Sequence, residues 1–338
     1  MTEDSLVAAL REIVEAPASE SSPGPRRVAL GIGDDAAAWQ PSRSHLSVIT
    51  TDALVDGVHF RSAAMSAGAI GFRAMAANLS DIAAMGARPV LVTIALGVTS
   101  QTSETWILAC YREMTALARA HGARIVGGDI TSAPATSLTL TVVGEVSRTR
   151  MKTRAGGRPG DVLAVTGPLG ASRAGLEIVR RGDAALAFTA LAPGVRTAAD
   201  NAFARPEPRL REGRFFAASA YVHAMMDSSD GLSTDVARLA RASGCGATLD
   251  EIPVHHAASA IAVAVGDDPI RYALDGGEDF ELIVAVAPRA FPHLARKFTR
   301  AFGVRLFAIG HLDAEPAIRI KGDGATRDLV AAGFDHFS

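Results

Sequence analysis

The chain has 338 residues, 48% hydrophobic and 21% charged, which suits two globular domains and excludes a disordered chain. Lys+Arg number 34 against 36 Asp+Glu, a net charge of -2, so no strong field draws it to nucleic acid or an anionic membrane, and neither is expected as a partner. Only Lys152, Lys297 and Lys321 are lysines, and none follows a glycine, which excludes a Walker A loop.

In chain order, Met1 to Ala16 places Leu6, Val7, Leu10, Ile13 and Val14 at helical spacing among Glu3, Asp4, Arg11, Glu12 and Glu15. That is an amphipathic helix and not a signal peptide. Strands are expected over Arg27 to Ile32, Leu46 to Thr51, Val90 to Leu96, Arg124 to Val126 and Ser137 to Val146, with helices over Ala67 to Met85 and Ser103 to His121. The basic, Gly-rich stretch from Ser147 to Gly160 lacks an apolar period and marks a domain junction, dividing the chain into residues 1–148 and 149–338.

The pattern then restarts. Strands are expected over Asp161 to Thr166, Val222 to Met226, Phe280 to Val286 and Arg305 to Ile309. Helices are expected over Ala171 to Arg181, from near Arg209, over Leu232 to Ala242 and over Arg289 to Phe302, and Pro193 to Pro208 reads as irregular. The fold class is two α/β domains of about equal size. No apolar run approaches the ~18 residues of a membrane span. Cys110 and Cys245 stand far apart in no metal-ligand spacing, as expected for reduced thiols in a cytoplasmic protein.

The chemistry lies in six acidic elements, each where an apolar segment meets glycine or a small polar residue. They are Gly31-Ile-Gly-Asp-Asp35, Thr50-Thr-Asp52, Asn78-Leu-Ser-Asp81, Gly127-Gly-Asp129, Asp227-Ser-Ser-Asp-Gly231 and Gly276-Gly-Glu-Asp-Phe-Glu281. Taken singly, Asp35 and Asp235 read as turn residues. Asp81 does not: inside an apolar helix a carboxylate either faces solvent or lies against a compensating charge. Asp52 ends the β-branched run Val48 to Thr51, which also fits a turn poorly.

Gathered carboxylates repel unless cations neutralise them. Oxygen-only donors without a His/Cys pattern select Mg²⁺ over Zn²⁺, and Mg²⁺ takes one or two protein carboxylates and completes its shell with water and phosphate. So many donors imply several ions with a polyphosphate between them. Gly31, Gly33, Gly127, Gly128, Gly276 and Gly277 would let backbone N–H groups approach that phosphate. A Rossmann site is not expected, because Ala36 takes the sixth position of the fingerprint. His255-His256 reads as surface or a helix start. His59, seven residues past Asp52, reads equally as a substrate contact or a structural histidine.

The blocks GIGDDAA, TTDALVDGVHF, NLSDIAAMGARP, GGDIT, TRAGGRPGD, VTGPLGASRAGL, ARPEPRL, DSSDGLSTD, ALDGGEDFEL and GFDHF run from Gly31 to Phe337. Together they resemble the thiamine-monophosphate kinases, of the superfamily that holds aminoimidazole ribonucleotide synthetase and selenophosphate synthetase. The resemblance implies ATP-dependent phosphorylation of thiamine monophosphate to thiamine diphosphate. It also implies a homodimer whose N-terminal domain carries a mixed sheet that pairs across the dimer axis, and a C-terminal α/β domain closing over the site. Carried over by position, Asp34, Thr50, Thr51, Asp52, Asp81, Asp129, Asp227 and Asp230 match metal ligands. Tyr111, Gly128, Asp129, Arg154 and Ser229 match ATP contacts, and His59, Glu278 and Phe334 match contacts to thiamine monophosphate. Phe334 stands where the family carries Tyr or Trp. No general base is assigned, since the acceptor phosphate is already ionised near neutral pH. The alternative is a paralogous ATP- and Mg²⁺-dependent enzyme of that superfamily with another small substrate.

Overall fold

The computed structural model describes residues 3–15, 28–32, 36–182, 186–322 and 324–333. The chain divides into two compact units, Met1–Ile82 with Ala87–Thr149, and Ala83–Gly86 with Arg150–Ser338.

The first unit holds α1 (Glu3–Glu15), β1 (Val28–Leu30), β2 (Ala38–Trp39), β3 (His45–Val55), α2 (Ala67–Ala84, whose last two residues belong to the second unit), β4 (Arg88–Val98), α3 (Glu104–Ala120), β5 (Arg124–Ser132) and β6 (Ser137–Ser147). Four strands form a mixed sheet in the order β3-β6-β4-β5, with β4 and β5 parallel and the other pairs antiparallel. One face buries Val92, Ile94, Leu96, Leu138, Leu140 and Val142. Helix α2 is buried on nearly all sides from Arg73 to Ser80, and its Ala-rich sequence suits a helix with no solvent face. At Gly71 a Cβ would lie 2.4 Å from the Cys110 carbonyl oxygen, so α2 and α3 pack backbone to backbone. The Cys110 thiol contacts the Ala67 carbonyl at 3.0 Å, and burial pushes its pKa up to about 12. Arg119 of α3 donates to the Val14 carbonyl at 2.5 Å, satisfying an orphan acceptor at the end of α1.

The opposite face is half open. Leu91, Val126 and Val143 are covered by Val28, Ala37 and Trp39, whereas Ile49 is 69% exposed.

The second unit contains β7 (Val162–Val165), α4 (Ala171–Arg181), a 3₁₀ turn (Leu186–Phe188), α5 (Pro193–Ala204), α6 (Leu210–Ala217), β8 (Val222–Asp227), α7 (Leu232–Ala242), β9 (Gly246–Leu249), α8 (His256–Val265), α9 (Pro269–Asp275), β10 (Leu282–Val286), α10 (Phe291–Phe302), β11 (Phe307–Asp313), β12 (Ile318–Gly322) and β13 (Ala325–Asp328). Its seven-stranded sheet runs β13-β12-β9-β11-β7-β10-β8, and only β12 and β9 are parallel. All five residues of β10 are fully buried, which accounts for the unbroken apolar run LIVAV. The mixed α/β class and two-domain reading hold.

Three expectations change. Residues 193–204, expected to be irregular, form α5: Pro193 occupies the first turn, where it starts a helix instead of breaking one. A Cβ at Gly175 of α4 would lie 2.3 Å from the Ala199 carbonyl oxygen, so tertiary packing holds α5 in place. The strand expected to end before Asp52 runs on to Val55, because β6 pairs with it along all eleven residues. Asp235 is no turn residue; it lies in the first turn of α7 and is fully buried. His255 is indeed a helix start, its Nδ1 accepting from the Ala257 N–H at 3.1 Å as the cap of α8. Among the described residues, no helix is long and apolar enough to cross a membrane.

Candidate active site

In the first unit, alternation along β3 sends Thr50 and Asp52 toward α2 and Thr51 to the other face. The Thr50 hydroxyl donates to the carboxylate of Asp81. The Asp52 N–H donates to Asn78 Oδ1 at 3.2 Å, and Asn78, fully buried, anchors its own amide on the Ala74 carbonyl at 3.0 Å. Asn78 and Asp81, three residues apart on one helix, therefore grip alternate residues of one strand. The structure brings Thr50, Asp52 and Asp81 together here, and Asp81 lies against a hydroxyl.

Thr51 and Asp129 lie elsewhere. Thr51 accepts from the Thr141 hydroxyl at 3.2 Å and donates to the Leu140 carbonyl at 3.0 Å. Asp129 is exposed and shares a register row with Ala95, Thr139 and Ala53, the face opposite the row of Asp52, Leu140, Ile94 and Gly128. Gly128 is obligatory, because a Cβ there would lie 2.0 Å from the Ile94 carbonyl oxygen. Tyr111 is only 4% exposed within α3, and burial raises its pKa. His59 closes the turn after β3: its Nδ1 accepts from the Val55 N–H at 3.1 Å, leaving Nε2 as the ring donor when the imidazole is neutral. Gly57, with φ 85°, makes that turn possible.

In the second unit, β7 and β8 end where the antiparallel β10 begins, which clusters three loops at one sheet edge. Asp227 is the last residue of β8 and is buried; Ser229 and Asp230 are partly exposed. The carboxylate of Asp235 holds their loop, accepting from the N–H groups of Ser229 at 3.0 Å and Asp230 at 3.2 Å. Arg238 binds the carboxylate of Asp230 and reaches Asp235 Oδ1 at 3.3 Å. The neighbouring loop is tied to this one, with the Glu278 N–H donating to the Ser229 carbonyl at 2.8 Å and the Phe280 N–H to the Ser228 carbonyl at 2.9 Å. Glu278 (φ 58°) and Phe280 (φ 50°) adopt left-handed backbone, which costs about 1–2 kcal/mol per residue outside glycine. Such strain persists where the surroundings over-determine it, typically at functional loops. The C-terminal segment reaches the same place: the Gly333 N–H donates to Thr234 Oγ1 at 3.1 Å. Phe334 follows it in sequence and, like Asp34, lies outside the described residues. Arg154 is exposed, its carbonyl accepting from the Ser243 hydroxyl at 3.0 Å.

Sequence reasoning missed Asn78, Asp235, Arg238 and the pair Arg209–Glu281, in which Nε–Oε2 is 3.0 Å and Nη2–Oε1 2.5 Å. Asn78 and Asp235 sit inside the blocks NLSD and DSSDGLSTD, the signal that marks them. Desolvation raises Asp235 to about 6, with the charge of Asp230 adding to it. The native state then keeps a proton that the unfolded chain, with an ordinary carboxyl near 3.8, has lost, so this group makes stability fall as pH rises from about 4 to about 6. In metal-free protein, Asp235→Asn is expected to flatten that part of the melting-temperature profile; an unchanged slope contradicts it.

Among the described residues, no three Asp, Glu, His or Cys side chains come together as a ready metal cage. The oxygen donors are instead spread over separate elements: Asp81 on α2 bonded to the Thr50 hydroxyl, Asp52 two residues further along β3, Asp129 exposed on β5, and Asp227 and Asp230 at the end of β8 and in the loop after it. That donor set fits Mg²⁺, which binds through one or two carboxylates plus water and phosphate, better than it fits Zn²⁺ or Ca²⁺.

This fold and these acidic loops define a protein of the AIR synthase related class. Residues 33–146 match the family model "AIR synthase related protein, N-terminal domain" and residues 158–323 the corresponding C-terminal domain. Within that class the chain belongs to the thiamine-monophosphate kinase family. It is 34% identical over 312 residues to the thiamine-monophosphate kinase of Synechococcus elongatus, covering 90% of this chain and 91% of that protein. The crystal structure of the thiamine-monophosphate kinase from Stenotrophomonas maltophilia K279a superposes with a TM-score of 0.81 at 33% identity, covering 96% of this chain and 98% of that one. AaThiL complexed with AMPPCP and TMP has a TM-score of 0.75 at 26% identity, covering 99% and 97%.

Proposed function

We propose that this protein transfers the γ-phosphoryl group of ATP in line to the phosphate of thiamine monophosphate, releasing thiamine diphosphate and ADP. An acceptor phosphate oxygen bonds to the γ-phosphorus while the bond from that phosphorus to the β,γ-bridging oxygen breaks, and the electron pair leaves with ADP. The observation that carries the reading is relatedness through both units, 34% identity across 312 residues, to a protein named for this activity. A homologous fold with AMPPCP and TMP bound supports the two substrates.

Phosphoryl transfer needs little covalent help and depends on positioning and charge neutralisation. Several Mg²⁺ ions, when bound, would supply that neutralisation. Their protein ligands in this reading are Asp34, Thr50, Thr51, Asp52, Asp81, Asp129, Asp227 and Asp230. The chain's other residues orient the anions. Arg154 offers a forked guanidinium to phosphate, Gly128 and Ser229 bring small groups to the nucleotide, and Tyr111 and Asp129 complete its contacts. For the acceptor, His59 presents Nε2, Glu278 its carboxylate, and Phe334 an apolar ring that can stack on a heterocycle. The enzyme acts as a homodimer in the cytoplasm. Ile49, 69% exposed on the sheet, and the edge of β3, unpaired on its outer side among the described residues, support the dimer.

Calorimetric titration in the presence of AMPPCP and Mg²⁺ tests the acceptor assignment. Saturable binding of thiamine monophosphate and at least about tenfold weaker binding of free thiamine are expected, the loss of a charge-assisted contact to the phosphate. Equal affinities would contradict it.

A further inference from the structure

Asp279 lies between the two left-handed residues Glu278 and Phe280 and has no part in the chemistry above. Its carboxylate accepts from the N–H of Gly170 at 2.7 Å and of Ser172 at 3.2 Å. These are orphan donors at the N-terminus of α4, and Gly170, the cap position, has no side chain to satisfy them. A capping side chain cannot be placed at Gly170 itself: its φ is 88°, and a Cβ would lie 2.8 Å from the backbone carbon of Tyr272. The cap is therefore supplied across 107 to 109 residues of sequence.

The consequence for the loop is geometric. Asp279 pins its middle to α4, while Glu278 and Phe280, on either side, are pinned through their N–H groups to the carbonyls of Ser229 and Ser228. Three consecutive residues are held from two directions, which leaves Glu278 no extended alternative to its strained conformation. Burial pushes Asp279 up to about 7, and the nearby Glu281 and Glu278 add to that. A neutral cap would meet the needs of α4 without that electrostatic cost.

We propose that Asp279 is a positioning residue, which uses the N-terminus of α4 as an anchor to fix the Glu278 carboxylate for the acceptor phosphate ester. This inference rests on the proposed function for the acceptor, but the anchoring can be read without turnover. In Asp279→Asn, amide hydrogen exchange at Glu278 and Phe280 is expected to accelerate about tenfold or more, as one anchoring bond is weakened, with Val165 and Val284 in the sheet unchanged. The KM for thiamine monophosphate is expected to rise about tenfold while the KM for ATP stays within about twofold, the mark of lost acceptor binding. Asp279→Ser, whose hydroxyl is one bond too short to reach the α4 N–H groups, is expected to accelerate exchange at Glu278 and Phe280 and to raise the KM for thiamine monophosphate at least as much as Asp279→Asn.

Unchanged exchange at Glu278 and Phe280 overturns the anchoring, whatever the substrate. Faster exchange with an unchanged KM for thiamine monophosphate overturns the positioning role, as does an equal rise for both substrates. Wild-type protein that binds ATP but does not turn over thiamine monophosphate refutes the proposed function instead, and the exchange measurement still decides the anchoring.

Discussion

Asp52→Asn is expected to lower turnover by about 10²–10³-fold, the scale of removing one preorganised electrostatic contact from a transition state. The substitution is nearly isosteric. It leaves intact the N–H bond from residue 52 to Asn78, which belongs to the backbone, and the pairing of β3 with β6. What it removes is a negative charge two residues along β3 from Thr50, on the same strand face, where the Thr50 hydroxyl already donates to Asp81. Circular dichroism and sedimentation should therefore match wild type while the dependence of rate on Mg²⁺ concentration shifts upward. Near wild-type turnover would remove Asp52 from the ligand set.

The second large effect falls on stability. Arg209 forks onto both oxygens of Glu281, which also accepts from the Thr166 hydroxyl, and Glu281 is buried. Arg209→Met strands that carboxylate and is expected to cost about 3–5 kcal/mol in urea denaturation. Removing both charges in Arg209→Met with Glu281→Gln should recover a large part, because a buried pair replaced by neutral groups of similar volume is close to balanced. A double variant no more stable than the single one would show that the pair is not the coupled unit proposed. Glu281 lies two residues from Asp279, so this ion pair also braces the start of β10 next to the acceptor loop.

Local signals account for what was legible in the sequence. Helices α4 and α7 fall on the expected residues because their apolar periods are bounded by glycines, at Gly170 and Gly182 for α4 and at Gly231 before α7. The acidic blocks are legible as blocks, but the division between Thr50–Asp52 and Thr51–Asp129 is not. Adjacent strand residues point to opposite faces, and the row of Asp129 depends on the bulge between Val92 and Thr93. The short strands β9, β12 and β13 were missed, since four or five residues carry too little pattern and β13 is exposed throughout. The roles of Arg209 and Asp279 escaped notice for a different reason. Their chemistry is defined by partners that the fold supplies, Glu281 lying 72 residues away and Gly170 lying 109 away.

The most direct test is a turnover assay of the purified full chain with MgATP and thiamine monophosphate, products separated by chromatography and free thiamine as a parallel acceptor. Thiamine diphosphate and ADP are expected in equal amounts, with no product from free thiamine. ATP binding without thiamine diphosphate, or phosphorylation of free thiamine at a comparable rate, would contradict the proposed function.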